Sequence, residues 1–218
     1  ETDRDYLSIS SANLGGTKTD LFISQNINLN SDIQEDGSII NQLIITRKNP
    51  LAADDRLKNL SYIRVYVPKD SELIEASGFD SVLPFSAQKI DQETQIDSDV
   101  QEWEKGLVQD VVSGTHIGKE SGKTFFGNWL ELKGGQERKM VIKYKLPFKL
   151  KSTDHHSLLV QKQPGVISSQ FDYQLNYPNH FLVWDNLATN KKTRHSYQSS
   201  INLDKDKFIA EVLSNNEQ

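Results

Sequence analysis

Strict alternation of apolar and polar residues is the pattern that most limits what this chain can become. In "LSYIRVYVP" the apolar Ile63, Val65 and Val67 share one side, and Tyr62, Arg64 and Tyr66 share the other. "RKMVIKYKLP" sets Met140, Ile142, Tyr144 and Leu146 against Lys139, Val141, Lys143 and Lys145, and "QFDYQLNYP" repeats the pattern with Phe171, Tyr173, Leu175 and Tyr177. A period of two belongs to a pleated strand with one buried face. Each of these segments ends at a proline, which cannot donate to a ladder, so the strands are expected to stop at Pro68, Pro147 and Pro178.

Further apolar runs, "LFISQNINLN", "SIINQLIITR", "TFFGNWLELK", "SLLVQKQ", "HFLVWDN", "SSINL" and "KFIAEVL", alternate with turn residues. The turns are marked by Asp36-Gly37, Gly134-Gly135, Pro164-Gly165 and the charged run from Asp204 to Lys207. This rhythm predicts an all-β fold, an antiparallel, immunoglobulin-like β-sandwich of about ten strands. One stretch departs from it. In "SDVQEWEKGLVQDVV", Val100, Trp103, Leu107 and Val111 fall near helical spacing, and Asp99 with Glu102 fits a capping box. At most one short helix near 99-105 is expected, interrupted at Gly106 and followed by a strand from Leu107 to Val112.

The 218 residues suffice for one large domain or two small ones. The polar run "KLKSTDHH" suggests a division, with residues 1-150 as a β-sandwich and 151-218 as strands that complete it or form a second small β domain. The net charge is −5 and the Lys and Arg residues are scattered, which argues against a nucleic-acid partner. There is no cysteine, so thiol catalysis, cysteine-ligated zinc and disulfides are excluded. No run approaches the roughly 20 apolar residues needed to span a bilayer, so these residues are not expected to insert into a membrane. The chain opens at Glu1 directly into the strand-like "YLSIS", which suggests a piece of a longer protein whose leader or anchor lies upstream.

Two glycine motifs invite a nucleotide. In "GKESGKTFFG", Gly122, Lys123 and Thr124 match the end of a phosphate-binding loop. Gly118, however, stands one position too close to Gly122, and the aromatic "TFFGNWLEL" that follows reads as a strand where an anion-binding helix would have to begin. A hairpin connection is the expectation. "NLGGTKTD", Asn13 to Asp20, is expected to turn at Gly15 and Gly16 into a strand on which Lys18 and Asp20 share a face. The five histidines show no ligand spacing, and adjacent His155 and His156 would point to opposite sides of a strand, so no metal and no cofactor is expected. No G-x-S-x-G elbow is present, and no residue is singled out as catalytic. Among Trp103, Trp129 and Trp184, the best candidates to stack on a sugar are Trp184, with Asp185 beside it as a hydrogen-bonding partner, and Trp129.

Taken in order, "NLGGTKTD", "YIRVYVPKDSELIEASGF", "GKTFFGNWLEL", "VIKYKLP" and "LLVQKQPG" resemble the C-terminal region of a bacterial envelope family, the domain of unknown function numbered 4012. The resemblance runs from about Tyr6 to about Tyr177 and is most specific at "LLVQKQPG" and "YIRVYVP". It implies an extracytoplasmic location in a bacterial cell envelope and a membrane anchor outside the present sequence. It carries over no catalytic residue. Its recurrent positions here are Asn13, Gly15, Gly16, Lys18 and Asp20 in the first motif and Gln161, Gln163 and Pro164 in the last, with Arg64, Pro68, Gly127 and Trp129 between them.

The preferred reading is a non-catalytic extracytoplasmic module that serves as a spacer or a binding surface. Its partner would be cell-wall polysaccharide or the protein's own N-terminal part. The alternative is an enzyme, or part of one, that acts on envelope polysaccharide through two carboxylates roughly 5 to 9.5 Å apart.

Overall fold

A computed structural model describes residues 4–80, 97–151, 153–187 and 190–214. The first strands are β1 (Asp5–Asn13), β2 (Ser24–Ile33), β3 (Ser38–Lys48), β4 (Asn59–Pro68) and β5 (Glu72–Ser77), followed by the one α-helix among the described residues, α1 (Ser98–Glu104). Then come β6 (Val108–Gln109), β7 (His116–Glu120), β8 (Lys123–Leu132), β9 (Glu137–Lys149) and β10 (Thr153–Gln161). The last are β11 (Gln170–Asn176), β12 (Phe181–Asp185), β13 (Asn190–Lys192), β14 (Ser196–Asn202) and β15 (Lys207–Ser214). They form a first sheet in the order β12-β15-β10-β1-β4-β8-β7-β6 and a second in the order β13-β14-β11-β2-β3-β9-β5. No helix among the described residues is long and apolar enough to cross a membrane.

Alternation puts the core between the sheets. Ile63, Val65 and Val67 of β4 and Phe126 and Leu130 of β8 face Met140, Ile142 and Tyr144 of β9, and all are buried. The rings of Phe126 and Tyr144 meet across the two layers with centroids 5.8 Å apart. The all-β expectation holds, but the described residues form fifteen strands where about ten were expected, and both sheets are mixed. Every pairing within β1–β9 and within β10–β15 is antiparallel. The parallel pairs are β1 with β10 and β2 with β11, which join the two groups side by side through both layers. Alternation reports which face is buried and is the same for either direction of a neighbour, and strands as short as β6 and β13 are too brief to show a period.

Three local expectations are corrected. Strand β9 does not stop at Pro147 but runs on to Lys149. Its register against β3 shifts between the pairs Ile40↔Lys145 and Ser38↔Lys149, and in that bulge the proline is not required to donate. Helix α1 is capped by Asp97 instead of Asp99: the Asp97 carboxylate accepts from the N–H groups of Asp99, at 2.8 Å, and Val100, at 3.4 Å. The strand expected from Leu107 to Val112 is only Val108–Gln109, because the Asp110 carboxylate captures the Ser113 N–H at 2.8 Å and turns the chain.

Where the two groups of strands join, the otherwise apolar interior holds a polar cluster. Asp5 of β1, His156 of β10 and Glu211 of β15 lie on neighbouring strands and are buried. The Asn41 amide donates to Asp5 at 2.8 Å and to the Tyr144 hydroxyl at 3.1 Å, and His156 Nδ1 lies 3.1 Å from Glu211 Oε2. Burial pushes the Asp5 carboxyl up to about 6, against the opposing pull of His156 and Asn41. Burial also works against a charged His156, but the hydrogen bond and charge of Glu211, aided by Asp5, outweigh it and raise the imidazole above its ordinary value.

Candidate binding surface

The outer face of β4, β8 and β7 is where alternation puts side chains that the core does not use. Tyr62 and Arg64 of β4 stand opposite Trp129 and Gly127 of β8, and Gly127 in turn stands opposite His116 of β7. Two glycines make the surface possible. A Cβ on Gly127 would lie 2.4 Å from the Tyr62 hydroxyl, and one on Gly118 would lie 2.5 Å from the Phe125 ring. Glycine inside a strand marks a close approach, and at both positions an aromatic ring crosses the neighbouring backbone.

The rings of Tyr62 and Trp129 sit 5.0 Å apart at 58°, and the Tyr62 hydroxyl lies 3.1 Å from His116 Nδ1. The Arg64 guanidinium lies 5.6 Å from the Tyr62 ring centroid and 4.8 Å from that of Phe125. Arg64 also donates to Glu120 at 2.8 Å, and the Tyr66 hydroxyl donates to the same carboxylate oxygen at 3.1 Å. Burial raises the Tyr62 and Tyr66 phenols, so both remain protonated donors at neutral pH. With Val100 and Glu104 of α1, and with Leu14 and Leu107, these residues other than Tyr66 line a cleft of about 920 Å³. Flat aromatic faces beside fixed polar groups suit a ring with an apolar face and a hydroxylated edge.

The three singled-out residues separate. Trp129 is in this cleft. Trp184 stands on β12, 52 % exposed, on the same outer face but five strand spacings away, roughly 24 Å across the sheet, and displaced along the strands by roughly a further 33 Å. The Asp185 side chain is only 4 % exposed, pairs with Lys192 and accepts the Leu187 N–H at 3.0 Å. Sequence neighbours on a strand point to opposite sides, so Asp185 and Trp184 do not present one surface.

The motif positions have structural partners. Asn13 donates to the Thr17 carbonyl and accepts the Gly15 N–H at 3.1 Å, and Gly16 takes a φ of +71°. Lys18 and Asp20 fall in a 3-10 turn, not on a strand: the glycine turn leads into Lys18–Leu21, where Asp20 accepts from Asn59 at 2.8 Å and faces Arg47 at 3.7 Å. Gln161 accepts from the Tyr6 hydroxyl. The Gln163 amide pairs with both the N–H and the C=O of Ser11 at 3.0 Å, prolonging the β1–β10 ladder beyond the strand just before the Pro164-Gly165 turn. At the nucleotide-like motif, Ser121 and Gly122 have φ of +51° and +70° and join β7 to β8 as a two-residue hairpin.

Sequence reasoning missed Tyr62, Arg64, His116 and Glu120 as cleft residues. The available signal was Gly118 and Gly127 within apolar strands. Among the described residues no group of three or more His, Asp or Glu side chains is placed to hold a metal. The sequence matches no protein-family model and no curated protein. Among solved structures the chain is similar, with a TM-score of 0.48 and 10 % identity over 96 % of its own length and 71 % of the other, to a "putative nutrient binding protein" from Legionella pneumophila.

Proposed function

We propose that this chain is a non-catalytic, extracytoplasmic binding module of a membrane-anchored bacterial envelope protein, related to the domain of unknown function 4012, and that it holds cell-wall polysaccharide in the Trp129 cleft. The observation that carries the reading is the Tyr62–Trp129 pair beside Arg64, Glu120 and His116 in one cleft of about 920 Å³. The immunoglobulin-like architecture is proposed for β1–β9, whose two sheets are antiparallel throughout.

Co-sedimentation of the purified chain with isolated cell-wall fractions tests the proposal. Saturable binding that falls at least tenfold in Trp129→Ala and Tyr62→Ala, with melting temperatures near that of the parent, is expected. Absence of binding to every fraction would favour a spacer. The enzymatic alternative draws on Glu104 and Glu120, which line the same cleft. Glu120, however, is held by Arg64 and Tyr66, which tie its carboxylate to the wall of the cleft. Release of reducing ends that stops in Glu120→Gln would decide for the enzyme.

A further inference from the structure

A second groove lies on the outer face of the first sheet and is built from other elements. His155 of β10 and Phe208 of β15 point outward because His156 and Ile209 point into the core, and Trp184 stands near them after a register shift in β12. Arg4, Lys149 and Lys151 complete the wall, and the groove measures about 410 Å³. Trp184 and Phe208 are 52 % and 44 % exposed, high for aromatic rings that the core does not need.

The charge of this groove runs against that of the whole chain. The net charge is −5, yet Arg4, Lys149 and Lys151 all contribute to the wall. The one acidic residue on the wall among the described residues, Glu211, turns its side chain inward to His156 and has none of it exposed. Nearby Asp185 is buried against Lys192, and Asp36 pairs with Lys149. The Arg4 guanidinium lies 5.2 Å from the Phe208 ring centroid, which keeps its planar donors beside the aromatic floor.

Aromatic faces take the apolar face of a pyranose ring, and a guanidinium with ammonium groups takes an anion. The geometry points to a binding site for an acidic saccharide, a sugar ring carrying carboxylate or phosphate. The ring lies on Trp184 and Phe208, and its anion faces Arg4, with Lys149, already paired with Asp36, and Lys151 along the same wall. This site stands apart from the Trp129 cleft and does not depend on the reading of that cleft.

The test is calorimetric titration of the whole chain with oligogalacturonate, with a phosphomannan fragment and with neutral dextran. At least one acidic probe binds, more weakly as NaCl is raised from 50 to 300 mM, and dextran does not; the tighter of the two acidic probes identifies the anion. Trp184→Ala and the pair Arg4→Gln with Lys151→Gln each weaken binding about tenfold or more, whereas Trp129→Ala leaves it unchanged. Both sets of changes are at the surface, and circular dichroism of each variant checks that the fold is kept. The proposal is overturned if neither acidic probe binds, if dextran binds as well as they do, or if the loss occurs in Trp129→Ala and not in the Trp184 and Arg4 variants.

Discussion

Single positions govern both the surface and the interior. At Gly127 an added methyl would meet the Tyr62 hydroxyl at 2.4 Å and its ring carbon at 2.8 Å, so Gly127→Ala must push the ring off β8. We expect a loss of about 1–3 kcal/mol in urea-unfolding stability, typical of overpacking, together with loss of polysaccharide binding. Inside, Glu211→Ala leaves His156 without its charge partner in a buried site. The expected loss is about 3–5 kcal/mol, read from the same denaturation curves. The pH dependence has a definite sign. Asp5 binds its proton more tightly when folded, so its contribution to stability falls as pH rises from 3.8 through about 6. His156 is also raised, so its contribution is complete below 6.5 and is lost as pH rises through its higher folded value. Both effects make the protein more stable near pH 5 than at pH 8. In the opposite direction, Asp36, Asp70 and Asp204 are held below the usual carboxylate range chiefly by their lysine partners, and their contributions disappear under strong acid. Urea midpoints at pH 5 and pH 8 check the sign, and Asp5→Asn should flatten the difference; a higher midpoint at pH 8 would refute it.

Among the elements, the long strands were legible because one buried face imposes a period of two, as in Ile63–Val65–Val67 and Met140–Ile142–Tyr144. The hairpin at Ser121-Gly122 was legible because the glycines of a phosphate loop were wrongly spaced and no helix pattern followed. Strand direction was not, since Leu158 and Val160 alternate equally well beside a parallel β1 or an antiparallel one. The candidate site was legible only in part. Trp129 could be picked out by its chemistry, but Tyr62, His116 and Arg64 reach it from strands whose adjacency appears nowhere in the order of residues. Asp185 misled for the converse reason, being adjacent in sequence to Trp184 but turned away from it. At this scale Gln163 offers a direct test, because its amide does the pairing of a strand residue. Gln163→Ala removes two hydrogen bonds to Ser11 and should cost about 1–3 kcal/mol, with faster amide exchange at Ser11 as the local signature.

On the scale of the whole molecule, two grooves open on one sheet face, their tryptophans five strand spacings apart across the sheet and offset along it, a separation that a long polymer can bridge. If one polysaccharide chain occupies both, the Trp129→Ala and Trp184→Ala variants should each lose most of the affinity for long chains. For short oligomers, each variant should affect only its own groove. The join between the two groups of strands has a consequence in time. Asp5 meets Leu158 and Asn26 meets Gln170, so β1 and β2 have no neighbour on one side until β10 and β11 have been made. At a ribosomal rate of about 5–20 residues per second, that interval lasts roughly 7–28 seconds. Throughout it, two rows of open backbone donors and acceptors can pair with a second nascent chain. The yield of native protein should therefore depend on how crowded the emerging chains are, and a holdase that shields β1 and β2 should raise it.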